Sequence, residues 1–336
     1  MLALRKKGLT GVATLIRARD LVKDFPLQGT IFDVFFRDRK AVHAVDGVSF
    51  SIAEGEVLGL AGESGSGKST TGRLLLRLQE PTSGSVEYRG RDVTSMSARE
   101  LAALRARAQI VFQDPNSSLS PRMSVGQAIT HPLSIHRIGT PKDRKERVLD
   151  LMEKVGLSPA EFLYHKYPHQ LSGGQSQRVV IARALVTTPD FLVADEPIAM
   201  ADVSVRALIL QLMRQLKQDL GLTYLFITHD LATAKYLCDR VAVMYLGRIV
   251  EIAPRDELFA RAHHPYTTAL LAAVPVPDPD ARRDKKLPTG EIPSAIDPPP
   301  GCHFHPRCPL AMPKCREARP PLREVSPGHF SACILD

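Results

Sequence analysis

The sequence contains no apolar run of the ~18 residues a membrane-spanning helix requires, so no span is expected. Its opening, Met1-Leu2-Ala3-Leu4-Arg5-Lys6-Lys7, lacks an apolar core followed by a small-residue cleavage site. The expectation is a chain that stays in the cytosol and is free to dock on a membrane protein. A long coiled-coil insertion is also missing. Cysteine is scarce: Cys238 stands alone, and the other four crowd into the last 35 residues. Disulfides are therefore not expected to hold the body of the fold. What is present suits a globular protein of one large or two modest domains: 336 residues, 44% hydrophobic and 24% charged. The net charge of +8 can attract nucleic acid, nucleotide or anionic lipid, and by itself selects none of them.

Residues 15–25 mix apolar and polar side chains as a half-exposed strand does, and Val45–Ile52 reads as another. Four short apolar runs follow: Val57–Ala61, Ile110–Phe112, Phe191–Ala194 and Tyr224–Ile227. Continuous apolar runs suit parallel strands covered on both faces. Helical patterns at 143–155, 175–186 and 205–220 separate them, and this alternation predicts an α/β fold with a mainly parallel sheet. A mostly helical stretch from about 120 to 185 is expected as an inserted subdomain. Composition changes near residue 265, and 14 of the 26 prolines lie from Pro275 onward. Residues 1–264 are read as the main domain and 265–336 as a separate, loop-rich appendage.

Gly62-Glu63-Ser64-Gly65-Ser66-Gly67-Lys68-Ser69 fits G-x-x-x-x-G-K-[ST], after an apolar strand and before a helical stretch, Thr70 to Leu78. Its glycines let backbone N–H groups turn around phosphate oxygens, and the helix that follows presents its positive end. Lys68 is expected to reach the β- and γ-phosphates, and the Ser69 hydroxyl to hold Mg²⁺. Asp195-Glu196 closes a buried apolar strand, the end at which open parallel sheets bind ligands. Asp195 is suited to Mg²⁺, and Glu196 to orienting or deprotonating an attacking water. His229 follows the last apolar strand as a candidate sensor of the γ-phosphate. Gln113, at the end of another strand, can touch both Mg²⁺ and the water. Leu171-Ser172-Gly173-Gly174-Gln175 combines a capping box with a glycine pair at a helix start, a second anion-gripping terminus. One nucleotide rarely needs both termini from one chain. The economical arrangement is a head-to-tail dimer in which each ATP lies between one subunit's phosphate loop and the other's Ser172–Gln175.

The set 62–69, Gln113, 171–175, 191–196 and His229 resembles the ABC ATPases over residues 15–260. That resemblance implies a RecA-like P-loop NTPase fold, MgATP as substrate, and Phe25 as an aromatic platform for adenine. His264-Pro265-Tyr266-Thr267 and the Pro/Cys-rich segment after it look like the C-terminal region of oligopeptide/dipeptide (and nickel) importer ATPases. The insert between residues 26 and 41 resembles the second of that subfamily's two paralogous ATPases. The implied assembly, at the cytoplasmic face of a cell membrane, joins this chain to a paralogous ATPase, two membrane permeases and an external substrate-binding protein, with no nucleic acid. There are departures. Ile198-Ala199-Met200-Ala201-Asp202 stands where the family usually ends Ser-Ala-Leu-Asp, and Ser176 replaces a usual arginine. The two composite ATP sites are therefore expected to be unequal.

Cys302, Cys308, Cys315 and Cys333 are separated by five, six and seventeen residues, unlike the tight C-x₂-C pairs of zinc fingers. Four thiolates suit Zn²⁺ or an iron–sulfur cluster, and free thiols remain open. The subfamily resemblance implies a [4Fe–4S] cluster. His303 and His305 are not expected as ligands, and Cys238 reads as a buried structural residue. Two other functions fit parts of the pattern: a soluble ABC ATPase acting on nucleic acid or ribosomes, and a regulatory subunit with little turnover.

Overall fold

The computed structural model describes residues 13–27, 40–199, 202–274 and 290–335. Most of the insert at 26–41, Met200-Ala201 of the loop after Glu196, and the proline-bearing stretch 275–289 lie outside the described residues. Twelve strands are assigned among them: β1 (Thr14–Pro26), β2 (Ala41–Ala53), β3 (Val57–Ala61), β4 (Ser83–Tyr88), β5 (Arg91–Asp92), β6 (Ala108–Val111), β7 (Phe191–Asp195), β8 (Thr223–Thr228), β9 (Arg240–Tyr245), β10 (Arg248–Pro254), β11 (Arg323–Ser326) and β12 (His329–Ser331). The chain divides into two compact units, one made of the stretches up to Thr94 and from Thr228, the other of Ser95–Ile227.

In the first unit β1 pairs antiparallel with β2 and β4, and β4 with β5. This antiparallel sheet is not part of the sequence expectation of a mainly parallel architecture. In the second half of β2 the buried Val48, Phe50 and Ile52 alternate with half-buried residues, as in a sheet with one face on a core. β3 pairs in parallel with β9, from Leu58↔Arg240 to Ala61↔Val243. All five residues of β3 are buried, as its continuous apolar run predicts. Cys238 is fully buried, and its sulfur fills the space where a Cβ on Gly59 would sit, a structural role as expected.

The second unit carries the parallel trio β6–β7–β8 and most of the helices. Capping boxes at Ser97/Glu100, Ser124/Gln127, Thr140/Asp143 and Ser172/Gln175 each satisfy orphan N–H groups at a helix start. The helix Gly173–Leu185 turns Val179, Val180, Ile181 and Ala182 inward.

The tail is loop-rich and pairs with the main domain through one strand. β12 pairs antiparallel with β10 (Glu251↔Ser331, Ile252↔Phe330), and β11 pairs with β12. The tail thus extends a sheet of the main domain. Glu251 explains why that edge takes a strand. Fully buried, its carboxylate accepts from His329 Nε2 (2.7 Å) and from the backbone N–H groups of His263 (2.7 Å) and His264 (3.0 Å). One side chain joins β10, β12 and the start of the helix Pro265–Ala273. Glu251→Ala leaves all three donors unpaired in a dry interior, and a stability loss of about 3–5 kcal/mol is expected. Urea denaturation checks this; an unchanged midpoint removes the network from any anchoring role.

Candidate functional site

In the first unit, Gly62–Ser69 leaves the buried β3 and turns into the helix Lys68–Leu75. Gly67 caps that helix at φ +99°, a left-handed conformation, and a Cβ there would strike the Ala44 carbonyl oxygen of β2. At Gly62 an added Cβ would meet the Met244 carbonyl oxygen of β9. Two neighbouring strands therefore hold the loop so closely that only glycine fits at either position. The Lys68 ammonium is buried at 5% exposure and donates to the carbonyl oxygens of Gly62 (2.8 Å) and Glu63 (2.7 Å). A buried ammonium needs such partners, and phosphate oxygens can replace them. Ser64 and Gly65 form the exposed tip of the loop, Ser66 is buried, and Ser69 and Thr70 lie half-buried in the first helical turn.

Glu63, the second residue of the loop, is bonded to the tail. Its backbone N–H donates to Tyr266 Oη (2.9 Å), and Arg307 grips its carboxylate with Nη1 (2.8 Å) and Nη2 (3.1 Å). Its N–H and its carboxylate are both turned toward the tail. Sequence reasoning missed both partners. They lie 203 and 244 residues away, where no local pattern reaches.

Phe25, near the end of β1, is half-buried, with Lys23 Nζ 5.1 Å from its ring centroid. His229 is exposed just beyond β8.

In the second unit, Asp195 ends β7 and is nearly fully buried. Glu196 follows at φ +47°, unusual for a residue with a side chain, and its N–H donates to the Ile227 carbonyl (3.0 Å). Its carboxylate accepts from Gln113 Nε2 (3.0 Å), so two sequence-predicted residues 83 apart come together. Gln113 lies two residues beyond the end of β6 rather than within the strand, as the sequence suggests. Ser172 and Gln175 form the expected reciprocal cap, with Gln175 N–H on Ser172 Oγ (3.3 Å) and Ser172 N–H on Gln175 Oε1 (3.0 Å). The helix opens two residues earlier than predicted, at Gly173, because Ser172 is its N-cap. Ser172 and Gly173 are exposed, and Gly174 is half-buried.

Back in the first unit, Cys302, Cys308, Cys315 and Cys333 line one small cavity with Phe304 and His305. Burial pushes the Cys302 and Cys308 thiols up from their ordinary range. His303 turns away, with Nδ1 3.2 Å from the Leu246 carbonyl oxygen. Among the described residues no group of three or more His, Cys, Asp or Glu side chains is arranged to hold a metal ion.

A glycine-rich loop with a buried lysine after an apolar strand, and an Asp-Glu pair closing another, define a P-loop nucleotide hydrolase of the α/β class. The family profile described as ABC transporter matches residues 45–199, and that described as oligopeptide/dipeptide transporter, C-terminal region, matches residues 250–315. A Brucella ovis protein named for peptide import and ATP binding is 55% identical over 292 residues, 87% of this chain and 92% of its own length. The oligopeptide transport ATP-binding protein AppF of Bacillus subtilis is 45% identical over 325 residues, covering 96% and 97%. Among solved structures, the dimeric post-hydrolysis state of the ATP-binding cassette MJ0796, bound to ADP and Pi, is 28% identical with a TM-score of 0.63, covering 72% of this chain and 99% of that one. CbiO1 of Clostridium perfringens, part of the ABC transporter complex cbiONQ, is 30% identical with a TM-score of 0.63, covering 74% and 92%. The chain belongs to the ABC ATPases, in the oligopeptide/dipeptide transporter family, and is an ATPase.

Proposed function

We propose that this chain is the motor subunit of an importer that takes up peptides at the expense of ATP. The observation that carries the reading is that one chain joins the ATPase motifs to the oligopeptide/dipeptide-type tail. Among the described residues no helix is long and apolar enough to cross a membrane. The finer assembly we infer is a paralogous ATPase, two permeases and an external binding protein, with this subunit peripheral on the cytoplasmic face. Exposed Ile135, Phe162 and Tyr167 in the helical region after Gln113 suit a surface that meets permease segments. A basic chain of this kind could also act on nucleic acid or ribosomes, but the tail offers no reason for it.

Each residue's part follows from its chemistry. Lys68 leaves its carbonyl partners to neutralise the β- and γ-phosphates. Phe25 stacks on adenine. Ser172 donates its hydroxyl proton to the γ-phosphate of a nucleotide held by the facing subunit, beside the N–H groups of Gly173 and Gly174. Glu196 takes the proton of the attacking water while Gln113 fixes its carboxylate, and His229 hydrogen-bonds the γ-phosphate. Ser69, Gln113 and Asp195 offer a hydroxyl, an amide and a carboxylate oxygen. This hard-donor set fits Mg²⁺, which supplies charge neutralisation of the phosphates when bound.

A second reading concerns the tail. Four sulfurs line one cavity, and four thiolates are the ligand set a [4Fe–4S] cluster takes. Cys302, Cys308, Cys315 and Cys333 would each hold one iron, and the cluster would supply a cross-link for a proline-rich segment.

Anaerobic isolation of the native complex tests both readings. Permease chains, peptide-stimulated ATPase activity, and iron with equimolar sulfide are expected. Stimulation by RNA with no permease present overturns the importer reading. Zinc without iron overturns the cluster.

A further inference from the structure

The tail reaches the phosphate loop through one residue. Arg307 lies between Cys302 and Cys308 and spans to Glu63, the second residue of Gly62–Ser69, with both terminal nitrogens on the carboxylate. Its side chain is only 9% exposed. A bidentate guanidinium–carboxylate pair is directional as well as strong, so it fixes where Glu63 sits. Two rings of a buried aromatic trio hold Arg307 in turn. Tyr245 of β9, Tyr266 of the helix Pro265–Ala273 and Phe304 of the tail pack with centroids 4.7 to 5.3 Å apart. The guanidinium carbon stands 5.9 Å from the Tyr245 centroid and 6.0 Å from that of Phe304. Tyr266 adds a second grip by accepting the Glu63 N–H. The consequence passes to Lys68, because the Glu63 carbonyl is one of the oxygens that hold its ammonium, at 2.7 Å.

We propose that Arg307 is a positioning residue for nucleotide binding: the C-terminal region sets the phosphate loop, and with it Lys68, through the Arg307–Glu63 pair. This rests on the reading of 62–69 as the phosphate loop. The pair holds the second residue of the loop in place before nucleotide arrives, so less of the nucleotide's binding energy is lost in ordering the loop. The region that carries the four thiols therefore forms part of the ATP-binding machinery, and disorder around the thiol cavity lowers nucleotide affinity.

The test uses the full chain, MgATP affinity and thermal denaturation in a double-mutant cycle. Arg307→Met and Glu63→Gln are each expected to raise the Kd for MgATP about tenfold, and the double variant no further. Arg307→Lys is expected to fall between wild type and Arg307→Met, since it keeps the charge and loses the fork. Arg307→Met is expected to lose its effect on affinity in a Glu63→Gln background even if it lowers the melting temperature, which a merely structural role would not reproduce. Should Arg307→Met fail to fold, Glu63→Gln alone decides, because it lies outside the tail. An unchanged Kd in Glu63→Gln, or fully additive losses in the cycle, overturns the proposal. Lys68→Ala is the control: an unchanged Kd there overturns the phosphate-loop reading beneath it, whereas a lost affinity with silent Glu63 and Arg307 variants overturns only the positioning role.

Discussion

Glu196→Gln is expected to lower ATP turnover about 10²–10⁴-fold, the range a positioned general base contributes, while leaving nucleotide affinity within about threefold of wild type. Glutamine has the same shape and keeps an oxygen for Gln113 Nε2, so the contact that aims the side chain survives. What disappears is the basic carboxylate. The backbone supports the same assignment. Glu196 sits at φ +47°, a conformation that carries a cost for any residue with a Cβ, and its N–H is tied to Ile227. Single-turnover hydrolysis against equilibrium nucleotide binding separates the two quantities. Turnover that stays within a few-fold of wild type would assign the proton to another group and leave this subunit a regulatory one.

Lys68→Ala is expected to weaken MgATP binding about 10²-fold or more, since charge-assisted hydrogen bonds contribute ~1.5–3 kcal/mol each and ~1.4 kcal/mol is a factor of ten. The same change leaves the Gly62 and Glu63 carbonyl oxygens without the ammonium that now satisfies them. The melting temperature of the nucleotide-free chain should therefore fall as well. Nucleotide titration at equal protein concentration checks the affinity, and an unaltered Kd would separate the loop from phosphate. Lys68→Arg is expected to recover little. A planar fork cannot occupy the compact position of an ammonium at 5% exposure.

The two units differ in how far their sites could be read from the chain. Ser172 and Gln175 were legible because a capping box is a three-residue event, and the structure forms it with both expected hydrogen bonds. β3, β7 and β8 were legible for a related reason: a strand buried on both faces carries a continuous apolar run, here Val57–Ala61, Phe191–Ala194 and Tyr224–Ile227. The antiparallel pairing of β1 with β2 and β4 was not. Alternating burial marks a half-exposed strand without naming its partner, and register depends on strands up to 72 residues away, as in Ile16↔Tyr88. The convergence of Gln113 on Glu196 lies between these cases. Both were singled out, but only the alignment of β6 beside β7 brings them within 3.0 Å.

The tail shows the limit most clearly. Its prolines and cysteines announced a loop-rich segment, and composition argued for separation from the main domain. The fold adds an attachment that composition does not reveal. A fully buried Glu251 on β10 needs donors, and His329 with the backbone of His263 and His264 supplies them. The strand β12 is held to the sheet by that requirement.

Residue order alone determined the phosphate loop, the acidic pair, the helix cap and the α/β alternation, because each is decided by chemistry within a few neighbouring residues. Tertiary structure decided the pairing of Arg307 with Glu63, the cavity shared by four distant cysteines, and the joining of the tail to β10. Those contacts depend on which surfaces the folded chain buries against each other, and a buried charge accepts whatever partner the fold delivers, however far away it lies in sequence.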